Sequence, residues 1–297
     1  MKLFKSKIEQ YILSIFLIAA ILLSFIFYTL TNIDENNNSL IKLENNLTLT
    51  KNLLEEQKRY ALSLAILLSE DKEIINSFLK KDRRKSFEIV NRKIELLKKM
   101  QDSKIDVQIH NKDLTTYLRS WDFTKKDIPL KSFRQGIVKV HEDKKPLVSI
   151  ELGKRLNIKA ISPIIIDQKI IGSLETIIDF EYLSKQIKQK GFELYVLLDN
   201  RFLDIANVIK NNAKKDNFTL VNNTNIANLS KIDLDDLKEY GYISNDKMVF
   251  SYFSYYDFKH NKLGYILTGM KNENSFNQNN SFSYSQYKKE NIGVVVE

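Results

Sequence analysis

Four pieces of sequence between Asp113 and Asp179 decide how this chain reads: DLTTYLRSWD at 113–122, SFRQGIVKV at 132–140, PLVSIELG at 146–153 and ISPIIIDQKIIGSLE at 161–175. The last is a hairpin signal, because two apolar, β-branched runs flank the polar turn Asp167-Gln168-Lys169. Ahead of it stand Arg119, Trp121, Arg134 and Glu151, and the return strand carries Glu175. Charged side chains on otherwise apolar strands must be paired or must face a wet cavity. The spacing therefore predicts a small-molecule pocket without the residues for covalent chemistry.

The rest of the chain says where such a pocket is held. With 297 residues, 43% hydrophobic and 28% charged, it has room for one or two globular domains. Only 8 Gly and 3 Pro leave space for long helices. The absence of Cys excludes a cysteine nucleophile, a Cys-ligated zinc site and a disulfide framework. A net charge of +9 raises the question of nucleic acid, yet the basic residues are scattered among acids, as in Lys80-Lys81-Asp82-Arg83-Arg84. No RNP-type aromatic motif or helix-turn-helix pattern accompanies them, so no nucleic-acid partner is expected.

Tyr11 to Leu30 carries no charge over 20 residues, the length that crosses a hydrocarbon core. Lys2, Lys5 and Lys7 precede it and Asp34 and Glu35 follow, which places residues 1–10 in the cytoplasm and the body outside. A cleaved signal peptide is the competing reading. It would have a shorter apolar run and a small-x-small site, where this chain has Phe25-Ile26-Phe27-Tyr28. The expectation is an uncleaved membrane helix over 11–31, with the body in the periplasm of a bacterium and the anchor in its inner membrane.

Leu40, Leu43, Leu47, Leu54, Ala61, Leu64 and Leu68 recur at three-, four- and seven-residue steps without Gly or Pro, predicting a long stalk helix over 32–82. That stripe can pack on its own domain, and it can also pair with a second copy in a homodimer. Thr50 and Gln57 on the seam argue against a perfect zipper. Asp82 is a turn or cap candidate, and Ser86–Met100 reads as a second helix. The period then falls to two: strands near 105–109, 114–118 and 147–152 and the hairpin at 160–179 give a sheet of about five antiparallel strands. A connecting helix over 181–190 ends at Gly191, and a small helix over 234–240 ends at Gly241. A second hairpin, 248–253 with 263–269, repeats the first: each loop has an Asp, and each return strand has an apolar-Gly step, Ile171-Gly172 and Leu263-Gly264. Two similar sheet modules in tandem follow, the second shorter. Residues 273–297 read as a return segment, and Ile292–Glu297 as a terminal strand, a frayed end or the first turn of a second, truncated membrane helix. Asn37 and Asn46 lie in N-x-S/T sequons, read as glycosylation sites or as chance in an Asn-rich helix.

With Leu118-Arg119-Ser120-Trp121, Ser132-Phe133-Arg134, Pro146–Gly153 and Ile161–Glu175 in place, the chain resembles the double Cache sensory domain, the input half of bacterial chemoreceptors and two-component sensor kinases. The close likeness covers about a quarter of the chain, the remainder matching in architecture. The resemblance implies an α+β fold: an N-terminal transmembrane helix, a long stalk helix and two tandem PAS-like antiparallel-sheet modules. The membrane-distal module would span 83–185 and hold the ligand, and the membrane-proximal one 190–272. Two departures stand out. Lys154-Arg155-Leu156-Asn157 replaces the Gly-rich stretch after Glu151-Leu152-Gly153. Asp122 follows Arg119-Ser120-Trp121 where the amino-acid-binding group has Tyr, so amino-acid specificity is not implied.

The expected ligand set is Tyr117, Arg119, Trp121, Phe133, Arg134, Glu151 and Glu175. Arg119 offers a guanidinium fork to a carboxylate, or else an ion pair to Asp122 or Glu151. Trp121, Tyr117 and Phe133 can wall a pocket or fill the core. Ser132–Val140 reads as a short helix, from which Arg134 can point inward or outward. Glu175 can bind a ligand amine or hold Arg119. His110, His141 and His260 are far apart, and no metal, cofactor or enzymatic activity is expected. The function expected is an extracytoplasmic sensor of a small anionic or zwitterionic ligand, without its cytoplasmic output. The alternatives are a single-pass structural envelope protein and an accessory binder, each with a protein partner.

Overall fold

The computed structural model describes residues 7–101 and 104–272. One helix, α1 (Lys7–Ser69), runs unbroken for 63 residues, about 95 Å at 1.5 Å per residue. Its first part, Tyr11–Leu30, has a mean hydropathy of 2.6 and none of it is buried in the protein. From Leu40 onward one face turns inward, with Leu43, Leu47, Leu54, Ala61, Leu64 and Leu68 buried. Thr50 and Gln57, the polar seam positions, are buried on the same face against the chain's own sheets. The stripe thus packs on its own domain. Asn46 is buried too, and its amide donates to the Thr268 carbonyl (3.4 Å), so its sequon is enclosed.

The helix stops earlier than its periodicity suggests. Asp71 accepts from the backbone N–H groups of Glu73 (3.0 Å) and Ile74 (3.1 Å) and starts a new helix, α2 (Lys72–Leu79). The lack of Gly and Pro concealed this break, because an aspartate cap needs neither. Asp82 caps α3 (Arg83–Gln101) through the N–H of Lys85 (3.0 Å).

Five strands follow: β1 (Ile105–Asn111), β2 (Thr116–Arg119), β3 (Leu147–Leu152), β4 (Leu156–Ile166) and β5 (Lys169–Ile178). They pair antiparallel in the order β2-β1-β5-β4-β3, with α4 (Gln135–Asp143) between β2 and β3 in the chain. Asp167 and Gln168 both have positive φ (48° and 62°), the two-residue turn whose twist matches a hairpin. Pro163 lies beyond the last β3 pairing, Leu147 with Ile161, where its missing N–H costs no ladder bond.

Helix α5 (Glu181–Gln189) leads to a second sheet: β6 (Glu193–Asp199), β7 (Lys214–Lys215), β8 (Phe218–Leu220), β9 (Tyr240–Ser244), β10 (Met248–Tyr256) and β11 (Lys262–Lys271). Its order, β7-β8-β6-β11-β10-β9, repeats that of the first sheet: the opening strand pairs with the last, and the last with its predecessor. The second sheet has six strands rather than a reduced set. The helix expected over 234–240 is absent; Leu234 and Leu237 are buried in turns and the chain enters β9. Gly241 ends no helix. It pairs with Tyr252, where an added Cβ would come within 2.8 Å of the Tyr252 hydroxyl oxygen.

Both sheets lie against α1. On the first, Thr176 donates to the Ala61 carbonyl (2.8 Å) and Ser69 to Ser162 (2.8 Å). On the second, Thr50 meets Thr268 (2.9 Å). A single apolar cluster joins α1 to Val148, Ile158, Phe180 and Leu183 of the first unit and to Val196, Leu198 and Ile266 of the second. Residues 273–297, with the expected return segment, and the side chain of Asn37 lie outside the described residues. Replacing Asp71 by alanine is expected to lower stability by about 1 kcal/mol through loss of the cap. Urea unfolding of the full chain measures it; an unchanged midpoint contradicts the assignment.

Candidate functional site

Alternation along a strand gives each sheet two faces. In the first sheet, Val107, Ile109, Leu174, Ile164 and Ala160 pack toward the helices α1–α3. The opposite phase carries Gln108, His110, Ser149, Glu151, Lys159, Ser173 and Glu175, all buried. Helix α4 covers this polar face, and Gly136 lets it sit close, since a Cβ there would lie 2.0 Å from Oε1 of Glu151.

Arg134 stands just before α4 and enters the cluster. Its Nη2 donates to Oε1 of Glu175 in a very close contact and lies 3.6 Å from Oε2 of Glu151. Ser149 donates to the other Glu151 oxygen (3.0 Å). His110 Nε2 is 3.5 Å from Glu175 Oε2. Ser173 bridges two imidazoles, with its Oγ 2.9 Å from His110 Nδ1 and 3.0 Å from His141 Nε2. Lys159 donates to the Leu152 carbonyl (3.1 Å). Four buried polar atoms here have no hydrogen-bond partner: His110 Nε2, Arg119 Nε, Arg134 Nε and Glu175 Oε2. Buried polar groups are nearly always satisfied; His110 Nε2 and Glu175 Oε2 face each other, which leaves the Nε–H donors of Arg119 and Arg134.

The charges shape one another. Burial alone would raise the Glu175 carboxyl; the Arg134 charge, followed by His110 and Lys159, outweighs it and holds it below the carboxylate range. Burial opposes the Arg134 charge, yet Glu175 and Glu151 stabilise it beyond its ordinary value. Burial, then Arg134, brings Lys159 down to about 8. Burial, then Arg134, also lowers Arg119. Burial keeps His110 neutral and, with His110 beside it, takes His141 down to about 4.

Of the seven residues expected from the sequence, Arg134, Glu151 and Glu175 meet directly. Arg119 is half-buried next to them, with its guanidinium 5.6 Å from the Trp121 ring. Asp122 does not pair with it, accepting instead from Thr124 N–H and Oγ–H (3.0 and 2.6 Å). Glu175 holds Arg134 rather than Arg119. Trp121 and Phe133 are 45% and 52% exposed, on the loop between β2 and α4. Tyr117 is on the other side of the sheet. The β1–β2 register slips between Ile109 and His110, and the extra residue turns Tyr117 toward α2 and α3. There it meets Phe78 edge-on at 4.8 Å and Ser86 Oγ at 3.1 Å. Lys159 and Ser173 went unread in the sequence, and His110 and His141 were weighed only as metal ligands. A charge on an apolar strand, the criterion that selected Glu151 and Glu175, applied equally to Lys159. No group of three metal-ligating side chains occurs among the described residues.

The second sheet offers an internal control. Gly172 pairs with Asn111, and Gly264 with Leu198, at matching places in the two units. Aligned on these glycines, Gln108, His110, Ser173 and Glu175 correspond to Tyr195, Leu197, Tyr265 and Leu267. Those four are buried in an apolar cluster with Phe218, Phe250 and Tyr252. One unit is filled and the other is polar.

Two sheets of one strand order lie on a shared helix, with a charged cluster buried in the first. The family described as the double sensory domain of two-component sensor kinases matches residues 36–266, and the chain belongs to it. No curated protein matches. Among solved structures, the chain is similar to the V. cholerae histidine kinase DctB sensor domain (16% identity, 80% of this chain and 98% of that one, TM-score 0.48). It is also similar to a domain of a sensory box/GGDEF family protein from Vibrio parahaemolyticus (15%, 82% and 98%, TM-score 0.49). A third is the Campylobacter jejuni chemoreceptor Tlp3 ligand-binding domain in complex with 4-methylisoleucine (15%, 80% and 92%, TM-score 0.45).

The pair at the centre sets a pH dependence. Because the folded-state value of Glu175 lies below its ordinary 4.5, its contribution is complete above that value and is lost as pH falls below it. Acid unfolding of the full chain is expected to be shallower between pH 4.5 and 2 in Glu175→Gln than in the wild type, from a lower starting stability. Parallel curves contradict the pairing.

Proposed function

We propose that the chain is an extracytoplasmic sensor of a small carboxylate-bearing ligand, bound without turnover in the first sheet unit. The observation that carries this reading is the set of unpartnered donors on Arg119 and Arg134 inside a buried cluster whose counterpart in the second unit is filled by aromatic side chains. A guanidinium with a free Nε–H presents the fork that carboxylates fit. Arg119, Arg134, Glu151 and Glu175 form the site, Trp121 and Phe133 border its entrance, and Tyr117 supports it from behind β2.

Residues 11–31 are read as the membrane helix, 32–69 as the stalk, 83–185 as the membrane-distal unit and 190–272 as the proximal one. The exposed apolar run Tyr11–Leu30 and the basic residues before it support an inner-membrane anchor with the body in the periplasm. Since α1 touches both sheets, a ligand that repositions the first sheet would slide the helix and carry the signal toward the bilayer. A homodimer through the outer face of α1 fits the same role, and sensor kinases and chemoreceptors are the assemblies it would serve.

A second reading has an observation of its own. Trp121, Phe123 and Phe133 are exposed on one loop, as in an accessory or envelope protein that docks a protein partner. Thermal unfolding of the full chain in detergent, with a panel of small carboxylates, separates the two. The sensor reading predicts an upward shift with at least one compound and its loss in Arg119→Ala. A shift that survives Arg119→Ala contradicts the site, and no shift with any compound favours the docking loop.

A further inference from the structure

We infer that the ligand is a carboxylic acid without an α-amino group. This rests on the binding site proposed above and narrows the ligand class it accepts. The argument follows from which hydrogen-bonding capacity in the cluster is already spent.

Every carboxylate in the cluster is committed. Glu151 accepts from Ser149 through one oxygen and faces Arg134 with the other. Glu175 holds Arg134 through Oε1. Its unpartnered Oε2 lies 3.5 Å from the equally unpartnered Nε2 of His110. Those two are complementary if the His110 proton is on Nε2, and a small approach satisfies both. Ser173 can then donate to His110 Nδ1 while His141 Nε2 donates to Ser173. Once these are paired, the unmet demand consists of Nε of Arg119 and Nε of Arg134. Both are donors, so the cluster asks for acceptors.

The charge balance points the same way. Arg119, Arg134 and Lys159 face Glu151 and Glu175, with His110 and His141 held neutral by burial, leaving one positive charge uncompensated. A carboxylate between the two guanidinium groups supplies the missing acceptors and the missing negative charge. An amino acid brings the same carboxylate with an ammonium that finds no uncommitted carboxylate and enters a net positive field. In a buried site that like-charge repulsion is not screened by water. The selectivity is therefore against the zwitterion.

Matched pairs test this: propionate against L-alanine, butyrate against L-2-aminobutyrate, and succinate against L-aspartate, titrated calorimetrically into the full chain in detergent and into Arg119→Gln. At least one acid is expected to bind at least ten-fold more tightly than its amino counterpart, and Arg119→Gln is expected to remove that binding. An amino acid that matches or exceeds its partner acid, and depends on Arg119, overturns the ligand class while leaving the site in place. Binding that survives Arg119→Gln, or no binding by any of the six, overturns the site reading and the inference with it.

Discussion

A guanidinium shut away from water needs a carboxylate, and a carboxylate shut away from water needs a cation. Arg134 and Glu175 answer each other across the polar face of the first sheet, each almost fully buried. Neither charge could sit there alone, because breaking such a pair costs on the order of 3–5 kcal/mol. The rest of the cluster is arranged around them. Glu151 shares the guanidinium, Gly136 allows α4 to close over it, and Ser173 ties α4 to β1 through two histidines. The pair holds α4 and the β2–α4 loop onto the sheet, so whatever competes for Arg134 also acts on the position of that loop.

The two units fill one topology in two ways. In both, the faces toward α1 are apolar and contribute to a continuous core. In the second, the outer face is closed by Tyr195, Leu197, Tyr265 and Leu267. In the first, the same positions hold Gln108, His110, Ser173 and Glu175. Substituting polar for apolar side chains at matched register positions turns an apolar core into a buried polar cluster.

The legible parts of the fold were those with a strong period or a turn signature. The α1 stripe, the Asp167-Gln168 hairpin and the five antiparallel strands of the first sheet follow from spacing, whereas their order does not. The 2-residue turn has both φ values positive and needs residues that tolerate them, which Asp167 supplies. The break at Asp71 was hidden because a side-chain cap leaves the apolar period nearly intact. The segment before β9 looked helical because Leu234 and Leu237 are three residues apart, yet they are buried from turns held by Asp216, whose carboxylate accepts the Leu234 N–H. At the site, Glu151, Glu175 and Arg134 were readable as charges on apolar elements. Tyr117 was not, since a one-residue bulge reverses its face and leaves no mark in composition. The histidines were weighed only as metal ligands, because the serine that joins them lies 32 and 63 residues away in the chain.

Hydrogen–deuterium exchange of the full chain, with and without a pooled set of small carboxylates, tests the central claim most directly. The account predicts slowed exchange confined to 116–143 and to strands β3–β5, with smaller changes along α1 between Leu54 and Ser69. Protection centred on 193–267 instead, or none anywhere, would contradict it.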